Sequence, residues 1–232
     1  MNIKSLLAAT FAVASMSTLS MAQTRTIEHE YSEFDAISVS DGFKVSFVES
    51  DGYSAKFKVN DAFESYVQCY VKAGTLYIGV DDKLIPKEVK KSFKGKNSDD
   101  PVLEATVYVP SLKAVTLSDN CTFSCDKDIN APKFTLELSG TSSVSNLNIH
   151  AGESAVITVS KKAKLSSVNV KTEDKVTVNA EGNACAVLEY SAKTLEVNNS
   201  GSAELAINGQ AETASVSTAG SAKLSLSGKA NT

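Results

Sequence analysis

The chain has 232 residues, of which 22% are charged and 7% aromatic, and its formal net charge is −4. Arg25 is its only arginine, and no cluster of basic residues with interleaved aromatics is present. This mild acidity argues against a nucleic-acid-binding protein, because such proteins grip phosphates with clustered cations.

Residues 1–22 have the features of an export signal. Lys4 supplies a positive start, residues 6–13 form an apolar stretch, and Ser20-Met21-Ala22 fits a small-x-small cleavage site. Cleavage after Ala22 would leave Gln23 as the first residue of the mature chain. The apolar run is far shorter than the ~20 residues that span a bilayer. The sequence therefore predicts an exported protein, periplasmic or on the cell surface, with no membrane insertion of the mature chain.

Residues 24–110 predict β-structure without a regular period. Alternating patterns over residues 34–39 and 43–47, separated by Asp41-Gly42, predict a β-hairpin. Further strands are predicted over residues 55–59, 67–71, 76–80 and 105–109, with a turn at Ala73-Gly74 and a helical turn within residues 61–65. Most aromatic residues fall here, so we expect this region to hold the bulky part of the core, including Tyr70 and Tyr77.

A polar, lysine-rich segment follows at residues 81–100, and we interpret it as a solvated loop rather than a functional one. Its paired carboxylates, Asp81-Asp82 and Asp99-Asp100, could bind Ca²⁺ but lack the Asp-x-Asp-x-Asp spacing of a calcium loop. His29 and His150 are the only histidines, too few for a usual zinc site. The sequence therefore predicts no metal and no cofactor.

From residue 112 onward one short sequence unit is repeated six times. It is marked by a small residue that recurs at spacings of 21, 21, 21, 19 and 19, and each copy has an apolar residue six positions before it and two after it. The small residues are Cys121, Ser142, Ala163, Ala184, Ala203 and Ala222. Within each unit apolar residues alternate, which is strand periodicity.

Two positions before each small residue the unit turns a corner. Four of these positions hold glycine, the residue that accepts positive φ without steric cost: Gly140, Gly182, Gly201 and Gly220. Asp119 and Lys161 stand at the other two. Twenty residues at about 3.3 Å each form a closed loop of roughly 65 Å, enough for one turn of a β-helix. We predict an all-β protein with a single-stranded, right-handed parallel β-helix of about six 19–21 residue coils over residues 111–232. An irregular, aromatic-rich β region at residues 23–110 would cap it in one continuous domain.

Four cysteines permit two disulfides in an exported protein. Cys121 and Cys185 would lie three coils apart, roughly 14 Å along the stack, beyond the reach of a bridge. We predict no disulfide, with Cys121 acting as a small buried hydrophobe. A Cys121 to Cys125 link, which requires the chain to bend between them, is the alternative.

The order of several motifs resembles one known family. Residues 34–39, 73–78 and 109–113, followed by the repeated corners at residues 139–142, 200–203 and 219–222, are similar to the putative auto-transporter adhesin head GIN domain, a domain of unknown function. The likeness covers about residues 30–225. It implies a β-helical fold and an exported protein of Bacteroidetes-type bacteria. At Lys161-Lys162 and Asp119-Asn120 this chain departs from the Gly-Ser corner of the family.

We therefore expect a non-catalytic, adhesin-like module that contacts glycan or protein through a repetitive Ser/Thr/Asn-rich face. The cations Lys161, Lys162 and Lys164 form a candidate ligand-contact ridge, although a solvated ridge is the simpler interpretation. The final coil leaves a strand edge that could pair with another copy. The alternatives are a polysaccharide-acting β-helix enzyme, which would need a carboxylate cluster that the repeat does not show, and a purely structural envelope protein.

Overall fold

The structure is a computed structural model that describes residues 23–93 and 101–230. The predicted export signal and the cleavage residue Ala22 lie outside the described residues. The strands are β1 (Thr24–Glu30), β2 (Ala36–Val39), β3 (Lys44–Glu49), β4 (Ser54–Asn60), β5 (Val67–Lys72), β6 (Thr75–Val80), β7 (Leu103–Val109), β8 (Ala114–Leu117), β9 (Thr122–Cys125), β10 (Ile129–Leu138), β11 (Ser143–Val159), β12 (Lys164–Thr172), β13 (Lys175–Ala180), β14 (Cys185–Ser191), β15 (Thr194–Asn199), β16 (Glu204–Ala211), β17 (Thr213–Thr218) and β18 (Lys223–Ala230). A 3₁₀ turn at Glu64–Tyr66 and a short helix, α1 (Lys87–Ser92), complete the described elements.

The strands stack into two walls of a β-solenoid. Wall A runs in the order β5, β6, β2, β8, residues 134–138, residues 154–159, β13, β15 and β17. Wall B runs in the order β1, β4, β7, β3, β9, residues 143–151, β12, β14, β16 and β18. The pairs β5–β6, β1–β4 and β4–β7 are antiparallel, and all other pairings in these two orders are parallel. The predicted all-β fold, with parallel strands stacked in about six repeating turns, is confirmed.

The core lies between the walls and consists of columns of apolar side chains, each column formed by residues that pair in register from one rung to the next. One column on wall A contains Val115, Leu136, Ile157, Val178 and Val197, each 0% exposed. Each such side chain contributes about 1.5–3 kcal/mol when it leaves water. A single coil cannot offset the entropy of ordering its own residues, so the stack as a whole carries the stability.

Tight corners join wall A to wall B. Gly140, Gly182, Gly201 and Gly220 have φ between 72° and 74°. A Cβ on Gly140 would lie 2.5 Å from the backbone oxygen of Asp119, so its corner leaves no room for a side chain. Asp119 and Lys161 adopt the same conformation, with φ of 58° and 60°, despite carrying side chains.

The predicted hairpin between residues 34–39 and 43–47 is wrong. Strands β2 and β3 do not pair with each other; β2 lies between β6 and β8 on wall A, and β3 lies between β7 and β9 on wall B. Asp41-Gly42 is a solenoid corner, with φ of 61° and 83°, and not a hairpin turn. The two strands cannot pair with each other because each already pairs on both sides with neighbours on its own wall, and the fully buried Phe43 lies between them in the chain.

The rung formed by β2 and β3 is therefore an early copy of the repeat. Ile37 pairs in register with Val115, and Val45 pairs with Phe123. The backbone oxygen of Phe43 accepts a hydrogen bond from Thr122 N, so Phe43 occupies the position of the small residue Cys121. The strands β6 and β7 add a further rung outside it.

The two ends of the solenoid differ. At the N-terminal end Phe63 and Ile85 are each 6% exposed, and Phe93 packs edge to face on Phe63 with ring centroids 5.0 Å apart. Part of the segment predicted to be a solvated loop thus covers the core. At the C-terminal end Val216 and Leu226 are 45% and 41% exposed, whereas their partners one rung earlier, Val197 and Ile207, are 0% and 1% exposed.

All four cysteines are free thiols; Cys121 is buried and Cys185 exposed. Within residues 23–93 and 101–230, no helix has the length and apolar character needed to cross a membrane.

Candidate binding face

The outward side chains of wall A form columns that run along the solenoid. Alternate residues of a strand point to opposite faces, and parallel pairing in constant register places equivalent residues side by side about 4.8 Å apart. The central column, here called the Thr/Asn column, continues a pair of tyrosines at its N-terminal end. Its members in stacking order are Ser38, Thr116, Glu137, Thr158, Asn179, Asn198 and Ser217, preceded by Tyr70 and Tyr77.

Hydrogen bonds within this column orient its amides. Asn198 Nδ2 donates to Asn179 Oδ1 at 3.0 Å, and Asn179 Nδ2 donates to Thr158 Oγ1 at 3.4 Å. Glu196, in the neighbouring column, accepts a bond from Lys175 at 2.5 Å and one from Asn198 at 3.3 Å. The hydrogen bond from Lys175 has the largest effect, and together the two bonds lower the pKa of Glu196 and keep its carboxylate ionised. The side chains are therefore held in a fixed, outward-facing array.

A second outward column of wall A consists mainly of serines, and their side chains form hydrogen bonds between neighbouring rungs. The hydroxyls of Ser118, Ser139 and Ser160 each donate to a backbone oxygen of the rung before, at 3.3, 3.5 and 3.3 Å. Their donors are used internally, so this column has less to offer a ligand than the Thr/Asn column.

The structure corrects the placement of two tyrosines expected in the core. Tyr70 is 49% exposed, and its ring stacks on that of Tyr77 with centroids 5.2 Å apart and an interplanar angle of 15°. The alternation of side chains along β5 indicates that Tyr70 is exposed, because Gln68, Tyr70 and Lys72 occupy the positions that alternate with the apolar residues of the strand.

The candidate lysine ridge spans a corner and the start of wall B. Lys161 and Lys162 sit at the corner, where Lys162 N donates to Gly140 O at 2.9 Å, and Lys164 begins β12 in register with Ser143 and Cys185. All three side chains are exposed. The ridge therefore lies on a corner and on wall B, whereas the Thr/Asn column lies on wall A.

The paired carboxylates of the lysine-rich segment are only partly described. Asp81 accepts hydrogen bonds from Gln68 Nε2 and Lys83 N, and Asp82 pairs with Lys90 at 2.9 Å. Asp99 and Asp100 lie outside the described residues. Within the described part of the chain, no three His, Cys, Asp or Glu residues are placed to hold a metal ion.

Comparisons with known proteins agree with this architecture. A solved structure of a putative adhesin from Bacteroides fragilis NCTC 9343 superimposes with a TM-score of 0.59 at 14% identity, covering 90% of this chain and 98% of that chain. A putative adhesin from Parabacteroides distasonis ATCC 8503 gives 0.50 at 13% identity, covering 90% and 95%. At these identities the likeness shows the fold. A search of curated proteins gave no match.

A family profile matches the chain twice, over residues 33–156 and 146–231, and so covers both the aromatic-rich rungs and the regular repeats. The chain belongs to the family described as putative auto-transporter adhesin, head GIN domain.

Proposed function

We propose that this protein is an exported, non-catalytic, adhesin-like module of the bacterial envelope that contacts a glycan through the Thr/Asn column of wall A. The membership of an adhesin family supports the adhesin-like role. The observation that supports the glycan contact is the fixed array of Thr158, Asn179 and Asn198, whose amides are aligned by hydrogen bonds at 3.0 and 3.4 Å.

Such an array suits carbohydrate chemistry. Each carboxamide has two donor hydrogens and two acceptor lone pairs, and the internal bonds use only part of this capacity. A glycan chain presents hydroxyls that donate and accept in the same way. Because the column is built from a stack of rungs, one ligand could contact several equivalent positions, as repeat proteins do on their extended surfaces.

The test is binding of the purified protein to an array of neutral and acidic glycans. The variant Thr158→Ala/Asn179→Ala/Asn198→Ala removes the proposed contacts. Its matched control is Asn148→Ala/Asn169→Ala/Asn208→Ala, which removes three asparagines from one outward column of wall B, in which Glu189 lies between Asn169 and Asn208. Binding lost in the first variant and kept in the second supports the proposal. No binding to any glycan, or equal loss in both variants, would contradict it.

The lysine ridge is the second candidate contact surface, and its positive charge distinguishes it from the Thr/Asn column. Exposed ammonium groups at Lys161, Lys162 and Lys164 would favour acidic glycans, and their attraction would weaken as salt rises. A Lys161→Ser/Lys162→Ser/Lys164→Ser variant that loses only the acidic glycans on the array would place the contact on the ridge instead of the Thr/Asn column.

We propose in addition that the C-terminal rung pairs with a second copy of the chain. The edge strands β17 and β18 contain no proline and no acid, and lysines are their only charged residues. Proline, inward charges and bulges are the usual devices that prevent edge pairing. The edge at the other end, β1, has Arg25, Glu28 and Glu30 on a strand of seven residues.

The edges of β17 and β18 can also pair with those of a second copy about a two-fold axis that passes through both walls. Val216 lies four residues before Gly220, and Ser225 lies four residues after Ser221, so the two positions are equally far along the chain from the corner that joins the walls. An axis through both would set Val216 against Val216 of the second copy and Leu224 against its Leu226. In antiparallel pairing directly opposite residues share a face, so both exposed apolar columns would be buried.

Sedimentation equilibrium at micromolar concentrations tests this pairing. We expect a monomer–dimer equilibrium that Val216→Lys/Leu226→Lys abolishes, since an inward charge on an edge blocks its pairing. Thr26→Lys on β1 at the opposite end is the control and should leave the dimer intact. A wild-type protein that stays monomeric at tens of micromolar would overturn the proposal.

A further inference from the structure

The N-terminal end of wall A has a small depression beside the stacked tyrosines. It encloses about 170 Å³ and is lined by Ser38, Asp41, Gln68, Tyr70, Tyr77 and Gly79. Ligand pockets for drug-sized molecules are larger, about 300–1,000 Å³, so this space suits one small unit of a ligand. We call it the tyrosine notch.

Gly79 lines the notch and allows side chains of the neighbouring corner to approach the backbone of β6. Gly79 occupies an outward position of β6, opposite Gln68 in β5. A Cβ there would lie 2.5 Å from Ser40 Oγ and 2.7 Å from Asp41 Oδ2. Glycine weakens a strand and often marks a place where another group approaches closely. Here the groups that approach are the Ser40 hydroxyl and the Asp41 carboxylate, which pack against the backbone of β6 because Gly79 has no Cβ.

The Asp41 carboxylate is held in position at the rim of the notch. Its Oδ2 accepts hydrogen bonds from Val80 N at 3.1 Å and from Ser40 Oγ at 2.5 Å. The residue sits at a corner with φ of 61°. A carboxylate has lone pairs for about four hydrogen bonds, so it can accept additional donors from a ligand.

The aromatic side of the notch supplies a surface of the opposite character. Tyr70 and Tyr77 stack nearly parallel, and Tyr70 remains half exposed. A cross-strand aromatic pair of this kind also stabilises its hairpin. Tyrosine rings combine an apolar face with a polar tip, which makes them common where one side of a partner is apolar and the other is wet.

We propose that the tyrosine notch binds a single uncharged pyranose ring, with its C–H face against the tyrosines and its hydroxyls on Asp41, Gln68 and Ser38. A pyranose has this two-sided chemistry, and the carboxylates of Asp41 and of Asp81, which accepts a hydrogen bond from Gln68, disfavour acidic sugars. This proposal rests on the glycan contact proposed above and assigns its anchoring subsite. The Thr/Asn column begins at Ser38, so a chain anchored in the notch would continue along it.

The test uses the protein labelled with 3-fluorotyrosine, whose seven tyrosines each give one ¹⁹F resonance. Methyl glycosides of glucose, galactose, mannose and N-acetylglucosamine are the probes, with glucuronic acid methyl glycoside as the acidic comparison. A ligand of this size is expected to bind with a Kd on the order of 1 mM. We expect at least one neutral glycoside to shift the Tyr70 and Tyr77 resonances saturably, and the acidic one to bind at least fivefold more weakly.

Two variants locate the site and one controls for it. Tyr70→Ser and Asp41→Asn should each weaken binding at least tenfold; Asn tolerates positive φ, so the second keeps the corner. Tyr108→Ser, an outward tyrosine on wall B, should change nothing. Should no neutral glycoside shift either resonance, or should the Tyr108 variant lose binding equally, the notch is not a sugar site. Array binding that depends on the Thr/Asn column but not on Tyr70 would overturn the notch alone and leave the proposed function standing.

Discussion

The N-terminal and C-terminal ends of the solenoid are built from the same kind of rung but are finished differently. At the N-terminal end the chain adds antiparallel strands β1 and β5 and places Phe63, Ile85 and Phe93 over the core. At the C-terminal end the rung of β17 and β18 leaves Val216 and Leu226 over 40% exposed. Closing an end thus requires a sequence that departs from the repeat, because a repeat can only present the next rung.

The departure at the N-terminal end also changes the order of the rungs. The β2–β3 rung, early in the chain, lies inside the rung of β6 and β7, which comes later. Rungs from different parts of the chain are thereby locked together by long-range pairing. We expect the N-terminal end to unfold with the whole protein and the C-terminal end to open locally at lower free energy.

The largest effect should follow from Phe43→Ala in the β2–β3 rung. Phe43 is 0% exposed and its ring packs edge to face on Phe57 with centroids 6.3 Å apart. We expect a loss of about 3–5 kcal/mol in the free energy of unfolding, measured by urea denaturation. Val216→Ala at the open end should cost less than about 1 kcal/mol, because little apolar area is buried there. Equal losses at the two positions would remove the contrast between the ends.

Asn199→Ala tests how the open rung is held. Asn199 is 2% exposed, and its Nδ2 donates to Lys223 O at 2.9 Å, which ties β15 to the start of β18. Losing this bond should lower the local stability of the last rung by about 1 kcal/mol. Hydrogen exchange of β17 and β18 should then be severalfold faster. Asn198→Ala, the exposed neighbour, is the control; if both variants exchange alike, Asn199 has no special role.

Between the two ends, the corner at Lys161 should respond to glycine with a gain in stability. A non-glycine residue in the left-handed conformation costs roughly 1–2 kcal/mol, and Lys161 has φ of 60°. We expect Lys161→Gly to stabilise the protein by about 1 kcal/mol, measured as a rise in Tm. Lys162→Gly, one residue on and without positive φ, should instead destabilise it by about 0.5–1 kcal/mol. A loss in both variants would mean that Lys161 makes contacts worth more than its backbone strain.

The smallest effect at neutral pH should come from Cys121→Ala, because alanine fills the same column in four later coils. Burial raises the pKa of the Cys121 thiol to about 11. The folded protein then keeps a proton that the unfolded chain loses near its ordinary pKa of about 8.5, so stability falls as pH rises from about 9 to 11. Unfolding measured across this window should show a shallower fall in the alanine variant. Burial also raises the pKa of Cys69, to about 12, so part of the slope should remain. An unchanged slope would contradict the assignment to Cys121.

The sequence by itself determined the repeating part of this protein. Six small residues at spacings of 19–21 and four corner glycines predict the coils, because each coil must present the same apolar columns to its neighbours. The repeat could not predict the β2–β3 rung. Its column positions Ile37 and Val115 are 78 residues apart in the chain, and Phe43 replaces the small residue of the pattern.

Only the tertiary structure decided how the irregular half is arranged. Asp41-Gly42 has the sequence of a hairpin turn, and its residues adopt the positive φ that such a turn needs. The strands on either side of it nevertheless pair with other rungs, β2 with β6 and β8 and β3 with β7 and β9. The same holds for the candidate binding surface. Thr158, Asn179 and Asn198 become neighbours only through stacking, and Tyr70, Gly79 and Asp41 line one depression only because β6 pairs with β2. Local patterns fix the shape of a rung, whereas long-range packing fixes which rungs lie side by side.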